Sequence, residues 1–79
     1  MMTDYTPIDC GLHSEYELAI MQRQPLELCW HSADQTRHRE TITPVDLYTR
    51  DGEEYMLIRD AAGAELAIRL DRITSCKIA

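Results

Sequence analysis

The sequence predicts a mainly β domain with a short N-terminal helix, arranged as an Sm-like five-stranded bent sheet or barrel. The chain has 79 residues, which is enough for one compact domain. One segment with helical periodicity precedes five short segments in which apolar and polar residues alternate. Closure removes exposed strand edges. Helix-then-five-strands is the Sm-like order, whereas an OB-fold usually has its helix between strands three and four. We therefore expect residues 1–79 to form a single Sm-like domain.

The N-terminal part is predicted to be an extended lead-in over residues 1–11 followed by a helix over residues 14–23. Ser14 and Glu17 have the spacing of a capping box, in which each side chain accepts a hydrogen bond from the backbone N–H of the other. Pro25 then ends the helix. The mainly apolar stripe of the helix repeats at i, i+3, i+4 and i+7 and comprises Tyr16, Ala19, Ile20 and Arg23.

Five strands are predicted within residues 26–78. The first begins at Leu26, and its period of two places Leu28 and Trp30 on the same face. Pro44 is predicted to end the second strand, because proline cannot donate a ladder hydrogen bond, and residues 45–50 are then a loop. The strands after the first are predicted at residues 36–43, 54–60, 65–70 and 72–78, with a turn at Asp51-Gly52.

The charge of the chain disfavours nucleic acid as a partner and favours a basic protein surface. The net charge is −6, and residues 1–27 carry five acids against one base. A nucleic-acid-binding surface gains affinity from Lys and Arg, whereas an acidic surface is attracted to a basic protein. Acidity that serves only solubility is the alternative. With no leader, no long apolar run and an odd number of cysteines, we expect a cytoplasmic monomer with reduced thiols and no membrane contact.

The reactive side chains do not form a pattern typical of catalysis, of a metal site or of a cofactor site. Cys10 with His13, and Cys29 with His31, are loose pairs, whereas structural zinc uses four ligands in close pairs. A cysteine nucleophile also needs an oriented base and an oxyanion pocket. The cluster 37–39, with sequence Arg-His-Arg, is the single basic cluster and is predicted to be a solvated strand face. We therefore predict no catalytic residue, no metal, no cofactor and no enzymatic activity.

An ordered set of short motifs resembles a known family. The set comprises Tyr5-Thr6-Pro7-Ile8-Asp9-Cys10, Glu17-Leu18-Ala19, Asp46-Leu47, Glu54-Tyr55 and Ile68-Arg69-Leu70-Asp71-Arg72-Ile73. In this order it resembles the Rof family of Rho-binding antiterminators. The resemblance implies an Sm-like fold that binds the RNA-binding domain of the transcription termination factor Rho. Such binding would block RNA loading and so inhibit Rho-dependent termination.

Two groups of residues are predicted to contact this partner. The first lies at and before the helix and comprises Asp9, His13, Ser14, Glu15 and Glu17. The second lies on the predicted loop and the turn after it and comprises Asp46, Tyr48, Arg50 and Asp51. Glu17 has two possible roles, as a helix cap and as a contact with the partner. An Sm-like RNA-binding module is the alternative function, suggested by the fold and by the basic cluster 37–39.

Overall fold

The structure of the protein is a computed structural model that describes Ile8 and residues 10–79. Its elements are helix α1 (Cys10–Gln22), strands β1 (Leu26–His31), β2 (Arg37–Arg50), β3 (Glu53–Arg59) and β4 (Glu65–Arg69), a 3₁₀ turn (Leu70–Arg72) and strand β5 (Ile73–Ile78). The five strands form one antiparallel sheet in the order β4-β3-β2-β1-β5. The prediction of a mainly β domain with one helix and five strands is confirmed, and the sheet has two edges rather than a closed barrel.

Strand β2 is 14 residues long and changes partner near its middle. Residues 37–42 pair with β1, residues 43–50 pair with β3, and the register is irregular between Pro44 and Asp46. The predictions that Pro44 ends the strand and that residues 45–50 form a loop are therefore wrong. Proline is tolerated at a bulge, where the ladder is already interrupted, and the Pro44 side chain is fully buried.

Helix α1 begins four residues before the predicted start, so that Cys10 and Gly11 are helical and the lead-in prediction is wrong for them. Residues 1–7 and 9 lie outside the described residues. Leu12 packs against the core, and its burial stabilises the additional turn. Ser14 is therefore inside the helix, and the capping box is wrong.

The C-terminus of α1 closes with a Schellman motif. Arg23 adopts a left-handed conformation with φ of 50°, and its N–H donates to the Ile20 carbonyl at 3.1 Å. The Gln24 N–H donates to the Ala19 carbonyl at 2.9 Å. These bonds satisfy carbonyls that the end of a helix leaves free, and Pro25 follows directly.

A single apolar cluster holds the helix and the sheet together. Leu26, Leu28 and Trp30 of β1 point into it, which confirms the predicted alternation. Its other buried members are Tyr16, Ala19, Ile42, Met56, Ile58, Ile68 and Leu70. Within the described residues, no helix is long and apolar enough to cross a bilayer.

Candidate functional site

The outer face of β1 and its two neighbouring strands gathers basic side chains. Glu27, Cys29 and His31 alternate with the buried residues of β1 and therefore point away from the core. On β2, Arg39 lies directly opposite Cys29 and Arg37 lies opposite His31. Residues directly opposite each other in an antiparallel pair share a face of the sheet. The hairpin therefore places both arginines beside His31.

These residues line an open cavity of about 660 Å³, which we call the basic groove. Its lining residues are Cys29, Trp30, His31, Gln35, Arg37, His38, Arg39, Thr74 and Ser75. The lining contains two arginines and two histidines and no acidic residue. On a chain with a net charge of −6, this is a local concentration of positive charge.

The two arginines of the basic groove differ in their partners. Within the part of the chain that the structure describes, the Arg37 guanidinium has no hydrogen bond or ion pair. Arg39 donates from Nε and Nη2 to Oε1 of Glu27, at 3.1 and 2.7 Å. The hydrogen bond to Glu27 is the main cause that raises the pKa of Arg39. Arg37 is thus free to bind an anion, whereas Arg39 is already bound to one.

An aromatic pair forms one end of the basic groove. The Trp30 and His38 rings are stacked, with centroids 5.2 Å apart and planes inclined by 16°. Trp30 is buried, which confirms its predicted place in the core. Both rings also line a second cavity of about 280 Å³ that extends toward Leu66 and Arg72. This second cavity therefore borders the basic groove at Trp30, His31 and His38.

The turn between β1 and β2 positions His31 and Arg37 relative to each other. Asp34 accepts hydrogen bonds from the Ser32 hydroxyl and, at 3.0 Å, from the Thr36 N–H. The Ser32 bond is the main cause that lowers the pKa of Asp34 to about 2. The carboxylate therefore stays ionised at neutral pH and keeps the turn closed.

The predicted partner residues of the helix are divided between its contact with the sheet and its exposed face. His13 Nδ1 is 2.8 Å from Oε1 of Glu17, and His13 Nε2 is 3.6 Å from Oε1 of Glu54 on β3. Glu17 is thus bonded to a side chain one turn away and has no capping role. Ser14 and Glu15 are exposed on the helix, and Asp9 lies outside the described residues.

The second predicted group lies on β2 and on the turn that follows it. Asp46, Tyr48 and Arg50 belong to the half of β2 that pairs with β3, and Asp51 is in the turn with φ of 53°. The Tyr48 ring stacks on Tyr55, with centroids 5.4 Å apart.

The structure brings members of the two groups together. A small cavity of about 190 Å³ is lined by both His13 and Tyr48, and a second, of about 280 Å³, by His13, Glu17 and Asp46. We call this region, where α1 meets β2 and β3, the helix-side surface. It shares no lining residue with the basic groove.

The other large cavity is apolar and lies between α1 and β5. It measures about 420 Å³, and both Leu18 and Ile78 on its rim are at least half exposed. Tyr16 lines it, and burial, with Cys76 and Glu15 nearby, raises the pKa of Tyr16 to about 12. Among the described residues, no group of three or more His, Cys, Asp or Glu side chains is placed to hold a metal ion.

Sequence reasoning named the cluster 37–39 and interpreted it as a solvated strand face. What it missed was the contribution of His31, which comes from the neighbouring strand. The signal was present in the hairpin, because the Ser32–Thr36 turn places residue 31 directly opposite residue 37. The i, i+2 spacing of Arg37 and Arg39 then places both on the same face.

Comparison with known proteins overturns the resemblance to the Rof family. The profile of the WYL domain family matches residues 12–78, and no match to the Rof family was found. The Rof resemblance depended on short motifs, one of which lies before residue 12, whereas the WYL match is continuous over both the helix and the sheet. The prediction of Rof membership is wrong.

One solved structure with a similar fold is the proteasome accessory factor B/C (PafBC) of Arthrobacter aurescens. The TM-score is 0.77 at 19% sequence identity, and the match covers 95% of this chain. It covers 12% of the PafBC chain, so this domain corresponds to a small part of that protein. No curated protein matches the sequence.

Proposed function

The chain belongs to the WYL domain family, and from that premise we propose that it is a binding module of transcription regulation whose basic groove holds a phosphate-bearing ligand. WYL domains are found in transcription regulators, which supports the regulatory part of the proposal. The proposed role is one of binding rather than catalysis. In the proposed cytoplasmic location, the three unpaired cysteines would stay reduced.

The observation that carries the proposal is the charge of the basic groove. Arg37, Arg39 and His31 face one open cavity whose lining includes no acid. Arginine donates in a planar fork that matches the oxygens of a phosphate group. The groove is open rather than enclosed, so it suits a ligand that passes across it, such as a short single strand of nucleic acid. The groove therefore favours binding of RNA, the alternative function suggested by the sequence, over binding of a basic protein surface.

The net charge of −6 opposes such a ligand but does not prevent its binding. At an ionic strength of about 0.1 M, salt screens exposed charges over about 10 Å. A phosphate bound between the two arginines is therefore governed mainly by charges within that distance. Net charge on the remaining surface lowers the rate of encounter more than the stability of the bound complex.

Fluorescence anisotropy with a short labelled single-stranded oligonucleotide at low salt tests the proposal. Arg37→Ala removes the arginine that has no partner and should weaken binding about tenfold, as expected for a lost charge-assisted hydrogen bond. Arg59→Ala is the matched control, because Arg59 is an exposed strand arginine outside the groove. Binding that is absent in the wild type, or lowered equally by both variants, would refute the proposal.

Two predictions from the sequence lie outside this binding function. Binding to Rho and inhibition of termination remain untested predictions, and they have lost the Rof resemblance on which they depended. The Sm-like arrangement remains a proposal, supported by the helix before five strands, by the partner change within β2 and by the pairing of β5 with β1.

A further inference from the structure

We infer that the Glu27 carboxylate competes with the ligand of the basic groove for Arg39. When the ligand binds Arg39, the carboxylate moves to Lys77. The inference rests on the proposed function, because it concerns the regulation of that site. In the free protein the Glu27 carboxylate occupies Arg39. A phosphate group that binds Arg39 must displace this carboxylate.

The register of the strands gives Glu27 this position. Arg39 lies opposite Cys29, two residues along β1 from Glu27, so the pair is a diagonal contact across two antiparallel strands. Oε1 of Glu27 accepts both the Nε and the Nη2 hydrogen bonds of the guanidinium. The Arg39 donors that would face a phosphate are therefore partly used inside the protein.

Lys77 provides an alternative partner for the displaced carboxylate. It lies directly opposite Glu27 on β5, and such pairs have Cβ atoms about 5 Å apart. Lys77 is exposed, and its side chain has no ion pair with any residue in the described part of the chain. A turn of the Glu27 side chain from Arg39 to Lys77 replaces one ion pair by another. The displacement therefore costs little free energy, and the ligand can bind Arg39 as well as Arg37.

The exposure of the Glu27–Arg39 pair sets the size of the effect. The Arg39 side chain is 71% exposed and that of Glu27 is 35% exposed, so the pair is largely solvated. Exposed ion pairs contribute little free energy. Competition from such a pair therefore changes the affinity for the ligand by about two- to fivefold. Glu27 therefore adjusts the concentration at which the groove fills and does not block it.

The test compares oligonucleotide affinity for the wild type, Glu27→Gln and Glu65→Gln at one salt concentration. Glu65 is the matched control because it accepts a hydrogen bond from Arg59 at 2.8 Å across β3 and β4 and lies outside the groove. Both variants remove one negative charge and one exposed pair. We expect Glu27→Gln to tighten binding about two- to fivefold relative to Glu65→Gln. Equal affinities of the two variants would overturn the inference.

A double-mutant cycle tests the role of Lys77. In the wild-type background, Lys77→Ala removes the alternative partner of Glu27 and should weaken binding about twofold. In the Glu27→Gln background, the same substitution should have no effect. An equal loss in both backgrounds would mean that Lys77 contacts the ligand itself, which would overturn the exchange.

The result for the wild type separates this inference from the proposed function. If neither the wild type nor Glu27→Gln binds the oligonucleotide at low salt, both the function and the inference fall. If the wild type and Glu27→Gln bind with equal affinity and Arg37→Ala binds about tenfold more weakly, the function stands and the inference alone falls. Circular dichroism of each variant confirms that the comparison is made between folded proteins.

Discussion

Arg69 is the buried charge that joins three elements of the domain. It is 9% exposed and donates to Glu53 at 3.0 Å and to both carboxylate oxygens of Asp71 at 2.6 and 3.0 Å. The Tyr55 hydroxyl donates to the other oxygen of Glu53 at 2.6 Å, and this bond is the main cause that raises the pKa of Tyr55. One guanidinium thus connects β3, β4 and the 3₁₀ turn.

Arg69→Ala should lower the free energy of unfolding by about 3 kcal/mol, because it removes the buried guanidinium that donates to the shielded carboxylates of Glu53 and Asp71. Urea denaturation followed by circular dichroism measures the change. Arg59→Ala is the control, because the exposed Arg59–Glu65 pair contributes about 0–1 kcal/mol. Similar losses for the two variants would contradict the structural role of Arg69.

At the residue scale, alternation along the sequence correctly predicted which side chains are buried and which are exposed in β1. It did not predict the network of Arg69. The spacing of Arg69 and Asp71 was visible, but Glu53 is 16 residues away along the chain. Its contact depends on how β3 pairs with β4, which a single sequence does not specify.

At the scale of elements, the helix shows how burial outweighs a local motif. Ser14 and Glu17 have the sequence of a capping box, but α1 begins at Cys10 and includes both. The Glu17 carboxylate accepts from His13 instead, at 2.8 Å. The favourable packing of Leu12 against the core outweighs a cap that would start the helix four residues later.

Ser14→Ala is therefore expected to change the free energy of unfolding by less than about 0.5 kcal/mol, as for other exposed substitutions. If Ser14 were the N-cap, the same change would cost about 0.5–2 kcal/mol. Chemical denaturation distinguishes the two values. A measured loss above about 1 kcal/mol would restore the capping box and would move the start of the helix.

Among the elements, the largest error was the prediction of a loop over residues 45–50, which form the second half of β2. Pro44 was predicted to end the strand because it lacks an N–H, and this reasoning holds for a regular ladder. The structure places Pro44 where β2 changes partner and the register shifts, so the missing donor costs little. Asp46, Tyr48 and Arg50 consequently lie on a strand rather than on a loop.

At the scale of the whole molecule, the fold class was predictable and the family was not. One helical and five strand segments were evident from periodicity, because each has its own local pattern. The Rof resemblance was assembled from separate short motifs, each of which is too short to specify a family. The basic groove was not predicted, because its residues meet only through the register of the β1–β2 hairpin. That register becomes evident only when the two strands are placed side by side.

The dependence of binding on salt concentration tests whether Arg37 and Arg39 each contact a phosphate of the ligand. For single strands, the logarithm of affinity falls with the logarithm of salt by about 0.7 for each neutralised phosphate. Contacts through Arg37 and Arg39 therefore predict a slope of about −1.4, and Arg37→Ala should reduce it by about 0.7. Anisotropy titrations over a range of salt concentrations give the slope. A slope near zero would show that the basic groove is not the binding site.

The change of partner within β2 also makes this strand common to two parts of the sheet. The ladders divide into one set containing β1 and β5 and another containing β3 and β4, and among the described strands only β2 belongs to both. The chain joins the two sets again at the 3₁₀ turn, which Arg69 anchors to β3. The basic groove is lined by the first half of β2 and the helix-side surface by its second half, so β2 is the strand that lines both surfaces.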